Sequence, residues 1–346
     1  MSRRNSRSVT REDVAREAGT SAAVVSYVVN GGPRPVAEST RARVLAAIDL
    51  VGYTPNSIAQ ALASGVSGTY GLIVPDISNP FFAALAHELA DEVSAHGKVL
   101  LLGDSAESKE REQLLLRMFL RQQIDGALFI GVDSAPEVEG AINAKVPVVM
   151  LDRADQRGEV SSVAVDNVAG AEAATKHLIE HGYQKIGIIA GPSHLFTARD
   201  RRRGWEAALE TAKLQVDLRW CLEAPFSRSG GLDAGNRLFG DDELPEAIFA
   251  SNEQQALGLL LAAARHGIRV PQELAVISFD GTDDSEYSHP SISTVVQPLK
   301  DIARAAVGLL NRNVHDGVLH TTCDYSLRLR SSCGAHSQQS TSVPYD

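Results

Sequence analysis

The sequence predicts an α/β protein: a small all-α head ahead of a larger, doubly wound parallel core. Three observations predict it. Residues 13–32, DVAREAGTSAAVVSYVVNGG, set two short apolar patterns around one glycine. From Tyr70 onward, short apolar runs alternate with helical patterns, which argues repeated strand–helix units. The 346 residues also exceed one ordinary core, at roughly 150 residues per domain.

Charge divides the same way. The net charge is −10, yet residues 1–66 carry eight arginines, no lysine and five acids. A basic head on an acidic body suits a head that meets a polyanion and a body that does not; compositional scatter is the plainer reading. Cys221, Cys323 and Cys333 are odd in number, widely spaced and in no metal-like pattern, as expected of reduced thiols in a cytoplasmic protein. The start, MSRRNSRSVTRED, lacks the apolar stretch of a secretory signal. No apolar run approaches the roughly 18 residues of a membrane helix, so no membrane partner is expected.

In the head, Thr10 can cap a helix whose third residue is Asp13, a near capping box, and Gly19 ends it. Ser21 caps a second helix over about 22–29, stopped by Asn30-Gly31-Gly32. A third runs over about 38–50 and stops at Gly52; Ala37 stands where an N-cap serine would contribute ~1 kcal/mol. On a helical wheel Val24, Val25, Val28 and Val29 share one sector, with Ala22, Ala23, Ser26, Tyr27 and Asn30 opposite. Such a helix can be an ordinary one packed on one side. It can also press its small residues into a DNA major groove. Helix, short turn at Gly19 and second helix make the helix-turn-helix unit.

The strings VTREDVAREAGTSAAVVSYVVNGG and TRARVLAAIDLVGYTPNSIAQALAS resemble the LacI/GalR family of transcriptional regulators. The resemblance is close over residues 9–65 and looser to about residue 330. It implies that Thr10, Ser21, Ala22, Ala23, Val24, Ser26, Tyr27 and Asn30 contact DNA. Two positions depart from the family pattern, which carries Thr at Val24 and Arg or His at Tyr27. An arginine forks onto guanine; Tyr27 offers one hydroxyl and a ring, so a different base is expected opposite it.

Thr54-Pro55-Asn56 reads as a turn. Residues 57–64 could make two helical turns, too few to persist alone. They fit a flexible linker or a segment that folds on binding. The resemblance implies the latter: a hinge helix paired with its copy from a second subunit. In it Asn56, Ala59 and Leu62 contact DNA, Leu62 as a wedge in the minor groove. A homodimer on near-palindromic operator DNA follows, with tetramer formation left open.

The core's apolar runs are TYGLIVPD, KVLLLGDS, GALFIGVD, VPVVMLDR, SVAVDN, KIGIIAGP, AIFASN and LAVISFDG. Candidate helices lie at 81–96, 108–122, 167–181, 197–212, 231–240, 253–266 and 298–312. So many strands require two sheets, hence two similar subdomains. The runs end in Asp76, Asp104, Asp133, Asp152, Asp166, Asn252 and Asp280, at the end of the sheet where ligands bind in such folds. Helix capping is the plainer reading for most of them, and Asp166 before Asn167 reads as a cap. The resemblance implies a cleft between two periplasmic-binding-protein-like lobes. Its lining would be Phe81, Phe82, Asp152, Arg153, Thr197, Arg201, Phe226, Asn252 and Asp280, with Arg201 as the effector-binding arginine. An Arg–Asn–Asp set suits a polyol, sugar or related metabolite, the arginine forking across two oxygens, and leaves a purine or an anionic metabolite open. Arg153 tilts this toward a phosphorylated or carboxylated ligand. Arg199 and Arg201–Arg203 read as one ligand arginine among solvated residues.

The resulting division is a DNA-binding domain at 1–56, a hinge at 57–67, an effector and dimerisation core at 68–334 and a disordered tail at 335–346. The first lobe is expected at about 68–165 and 294–316, the second at about 166–293 and 317–334. Gly65, Gly68 and Gly71 precede a strand and lack dinucleotide spacing; His87-Glu88 has no second histidine; 280–286 lacks calcium-loop spacing. The ten histidines are read as surface or core residues, so no metal, cofactor or catalytic residue is expected. The expected function is an effector-controlled transcriptional repressor. A sugar-uptake binding protein would leave residues 9–64 unexplained, and a doubly wound enzyme lacks a nucleophile–base set.

Overall fold

The computed structural model describes residues 9–30, 35–54, 65–132, 137–152, 158–241, 243–312 and 317–334. The chain forms two units, Met1–Gly68 and Thr69–Asp346. The smaller holds α1 (Arg11–Glu17), α2 (Ala22–Asn30) and α3 (Glu38–Val51). Asp13 accepts hydrogen bonds from the Thr10 N–H at 3.0 Å and the Thr10 hydroxyl at 2.8 Å, which fixes the start of α1. Ser21 Oγ accepts the Val24 N–H at 3.3 Å. Gly19, at φ +60°, takes the left-handed turn between α1 and α2.

Val14, Ala15, Ala18, Val25, Val28, Val44 and Ala47 form the head's core. The expected apolar sector of α2 needs one correction. Val24 is not part of this core, whereas Ala22 and Val29 pack against it. Ala22 lies three residues before Val25 and shares its stripe; Val24 is rotated from Val25 by about 100°.

The larger unit carries two six-stranded sheets among the described residues. The first lobe runs β1 (Thr69–Val74), α4 (Pro80–Ala95), β2 (Val99–Asp104), α5 (Lys109–Arg121), β3 (Gly126–Phe129), α6 (Glu139–Asn143), β4 (Val148–Leu151) and β5 (Ser161–Val165). The second runs α7 (Asn167–Glu180), β6 (Ile186–Ala190), α8 (Phe196–Thr211), β7 (Cys221–Glu223), α9 (Arg228–Leu238), β8 (Ala247–Ala250), α10 (Glu253–His266), β9 (Ala275–Asp280), α11 (Asp284–Tyr287) and β10 (Ser293–Val296). Then come α12 (Leu299–Leu310), β11 (His320–Cys323) and β12 (Ser326–Arg328). The strand orders are β11-β5-β4-β3-β1-β2 and β12-β10-β9-β8-β6-β7. Pairing is parallel throughout except between β10 and β12.

The chain therefore passes between the sheets three times: after β5, after β10 and after β11. The expected lobe boundaries change accordingly. Residues 294–296 belong to the second sheet, because Ser293 pairs with Ile277 and continues the β9 ladder. Residues 320–323 belong to the first, because His320 pairs with Ser162 on β5. No helix among the described residues is long and apolar enough to cross a membrane.

Close packing of α7 on α8 rests on Gly204. A Cβ there would stand 2.2 Å from the Val168 carbonyl oxygen and 2.8 Å from the Glu172 nitrogen, both backbone atoms. Gly204→Ala is expected to destabilise the larger unit by about 1–3 kcal/mol through overpacking. The urea midpoint measures this, and a midpoint equal to that of the parent chain would contradict the contact.

Candidate functional site

The strand orders set where side chains converge. In each sheet the order reverses at the first strand, β1 or β6, and ligands of such folds bind beyond the carboxyl ends there. Asn79, Phe81 and Phe82 follow β1, Asp152 follows β4, and Thr197 and Arg201 lie on α8 after β6. Phe226 follows β7, Asn252 follows β8 and Asp280 ends β9. All nine line one cavity between the lobes. Eight were expected from the sequence. Asn79 was not; its Oδ1 caps α4 by accepting the Phe81 N–H at 3.1 Å. Arg153 and Asp133 lie outside the described residues.

Arg201 is 3% exposed and organises the cavity. Its Nε donates to Asn167 Oδ1 at 2.8 Å. Its Nη1 donates to the Ser251 carbonyl at 2.7 Å and to Asp280 Oδ1 at 3.3 Å. The guanidinium carbon lies 3.8 Å from the centroid of the Phe279 ring, a cation–π contact. Two of the three nitrogens are thus committed to protein. The expected fork across two ligand oxygens is not available, and Nη2 is left as the donor toward a ligand. Gln297, where the chain leaves β10, donates its Nε2 to Asp280 Oδ1 at 3.0 Å. Asn167, where the chain leaves β5, holds Arg201. Neither contact was anticipated.

Burial pushes the Asp280 carboxyl up to about 6, against the pull of Arg201 and with the help of Asp152. Asp152 Oδ1 is buried without a hydrogen-bond partner among the described residues. Asp280 also holds φ +107° and Asp152 φ +59°, conformations rare for side-chain-bearing residues. Gln255 braces the wall, its Nε2 donating to the carbonyls of Ala190 at 3.1 Å and Ala224 at 2.9 Å. A Cβ at Gly191 would stand 2.1 Å from Phe226 Cζ, so the glycine makes room for that ring. The cavity measures about 20 Å³, room for about one water molecule.

The other strand-end acids among the described residues serve local turns and caps. Asp76 accepts the Ser78 N–H, Asp104 the Ala106 N–H and Asp166 the Ala169 N–H. Arg199, Arg202 and Arg203 bond Ser193, Glu206 and Asp200. In the head, Ser21 and Ala23 are exposed, and Thr10, Ala22, Val24, Ser26 and Tyr27 are half-buried. Arg11 Nη1 donates to Ser26 Oγ at 3.4 Å, and Asn30 is the last residue of α2. Asn56, Ala59 and Leu62 lie outside the described residues.

Comparison with known proteins matches residues 10–56 to bacterial regulatory proteins of the lacI family and residues 175–333 to a periplasmic binding protein-like domain. Catabolite control protein A of Priestia megaterium is 36% identical over 306 residues, 88% of this chain and 92% of that protein. The transcriptional repressor CytR of Escherichia coli is 32% identical over 94% of this chain and 96% of its own. Among solved structures, a lac repressor dimer bound to operator and the anti-inducer ONPF gives a TM-score of 0.82 at 26% identity, covering 95% of this chain and all of that one. The regulator CelR in complex with cellobiose gives 0.71 at 27% identity, covering 94% and 99%.

Beside the cavity, Glu253 accepts hydrogen bonds from the Thr282 N–H at 2.9 Å and from the Thr282 hydroxyl. Burial nevertheless pushes its carboxyl from 4.5 up to about 7. The fold therefore favours protonated Glu253. That contribution is complete below the unfolded value of 4.5 and is lost as pH rises toward 7, about 3 kcal/mol in all. Glu253→Gln keeps an acceptor for Thr282 and should flatten this part of the stability–pH curve. Urea denaturation between about pH 4 and about pH 8 checks it, and an unchanged slope would count against the buried acid.

Proposed function

The chain belongs to the LacI family of bacterial regulatory proteins, DNA-binding transcriptional regulators controlled by a small molecule, and from that premise we propose how its parts divide the work. Residues 1–56 bind operator DNA through Thr10, Ser21, Ala22, Ala23, Val24, Ser26, Tyr27 and Asn30. Residues 57–67 form a hinge; Asn56, just before it, and Ala59 contact DNA, and Leu62 wedges into the minor groove. Residues 68–334 bind the effector and dimerise, and 335–346 form a tail. The protein acts as a cytoplasmic homodimeric repressor on a near-palindromic operator. Effector and operator shift each other's affinity through one coupling energy, typically ~1–3 kcal/mol.

The observation that carries the effector reading is the convergence of nine side chains from both lobes on one cavity. Its chemistry supports a neutral, hydroxyl-rich ligand such as a sugar. Among the described residues, the buried Asp280 and the half-buried Asp152 face Arg201, most of whose hydrogens are already taken. Carboxylates accept from hydroxyls, and a phosphate would meet net repulsion there. Phe81, Phe82 and Phe226 supply flat apolar faces for a sugar ring. This departs from the charged ligand that Arg153 favoured at the level of sequence.

Two measurements test the proposal. Selection of bound duplexes from a random pool by the purified full-length protein should return a near-palindrome. Tyr27→Arg should add a guanine preference in each half-site. A non-palindromic consensus would remove the dimer. Calorimetric titration should favour neutral sugars over their phosphorylated forms. Asp152→Asn should weaken the neutral sugar by about tenfold or more while leaving ligand-free operator affinity unchanged. Tighter binding of the phosphorylated form would overturn the assignment.

A further inference from the structure

Away from the cleft, three metal-ligating side chains meet near the other end of α7. His177 and His181 stand one turn apart on that helix, and Cys333 approaches from the single turn Ser331–Cys333. One ligand atom from each lies within 4.8 Å of the other two. Cys333 Sγ is 3.4 Å from His177 Nε2, and the two imidazoles meet edge to face at 4.7 Å between centroids. A tetrahedral Zn²⁺, with bonds of about 2.3 Å to sulfur and about 2.0 Å to nitrogen, holds such a pair about 3.5 Å apart. The Cys333–His177 pair already has that separation, and rotation of the half-buried imidazoles can bring in His181.

The surroundings orient the three groups. The Tyr183 hydroxyl donates to the Cys333 carbonyl at 3.3 Å, and its ring stacks on His181 at 6.2 Å. The Cys333 thiol donates to Ser293 Oγ at 2.9 Å. Ser293 is in turn fixed by the Arg330 backbone, whose N–H donates to it at 2.8 Å. A Cβ at Gly334 would stand only 3.1 Å from His181 Nδ1, so a glycine there leaves that ring room to turn.

We propose that His177, His181 and Cys333 bind one borderline-soft divalent cation of the Zn²⁺ type, with solvent in the fourth position. Both histidines bind through neutral imidazole nitrogens. Cys333 binds as thiolate: its S–H proton passes to solvent, and the Ser293 hydroxyl turns to donate to sulfur. Because binding displaces the thiol proton, affinity rises with pH. The ion fastens the Ser331–Cys333 turn to α7, the helix whose first residue, Asn167, holds Arg201.

The test uses the reduced, chelator-stripped full-length protein titrated with Co²⁺, then Zn²⁺. One equivalent of Co²⁺ should develop a thiolate-to-cobalt charge-transfer band with tetrahedral d–d absorption. Zn²⁺ should abolish the band and raise the melting temperature. The double variant Cys221→Ser/Cys323→Ser retains Cys333 and should keep the band, whereas Cys333→Ser and His177→Gln should lose it. A parent protein without a thiolate band overturns the proposal whatever the variants do, as does a band that survives in Cys333→Ser.

Discussion

Arg201 is a cation sealed inside the larger unit, and the fold around the cleft is arranged to keep it there. An unpaired guanidinium in that position would cost several kcal/mol. The chain supplies the Asn167 amide, the Ser251 carbonyl, the Asp280 carboxylate and the Phe279 face. Two of those contacts reach the segments that join the lobes. Asn167 begins α7 directly after the first crossing, and Gln297, at the second, shares Asp280 with Arg201. One buried ion pair is thus tied to two of the three connections on which the lobes can pivot. On the function proposed, a ligand that bonds Asp152, Asp280 or Nη2 would favour whichever lobe arrangement makes those contacts best.

Legibility in the sequence followed periodicity. The helix expected at 253–266 has those bounds, and those expected at 81–96 and 197–212 were misplaced by one residue. The eight apolar runs became β1–β6, β8 and β9, all interior to their sheets except β2 at an edge. The strands that escaped notice, β7, β10, β11 and β12, have three or four residues each. β11 and β12 are largely exposed and carry no apolar run, so their places come from tertiary pairing. That is also why two lobe boundaries shifted: a connection's destination is not written in its local pattern.

The site was legible where resemblance could point to single positions at strand ends. It was not legible where a role depends on a distant partner. Asn167 meets Arg201 across 34 residues, and Cys333 meets His177 across 156. A histidine pair at helical spacing carries little meaning until a third ligand is seen to approach. Val24 illustrates the converse limit. A wheel groups neighbours by angle, but which stripe is buried depends on where α1 and α3 lie.

The head meets a different constraint. Among the described residues its buried core side chains are valines and alanines, with Ile48, Val51 and Tyr53 packed only partly against them. Each buried valine contributes about 1.5–3 kcal/mol, and α1 and α2, at seven and nine residues, are too short to hold as isolated helices. Small side chains let three short helices approach closely, at the expense of a core that stabilises little. Such a unit gains from whatever binds its folded form: a ligand at 100 times its Kd adds about 2.7 kcal/mol. For a DNA-binding head that ligand is the operator. The same linkage that makes DNA a stabiliser of the head makes it a term in the effector equilibrium, because a coupling between two binding events acts equally in both directions.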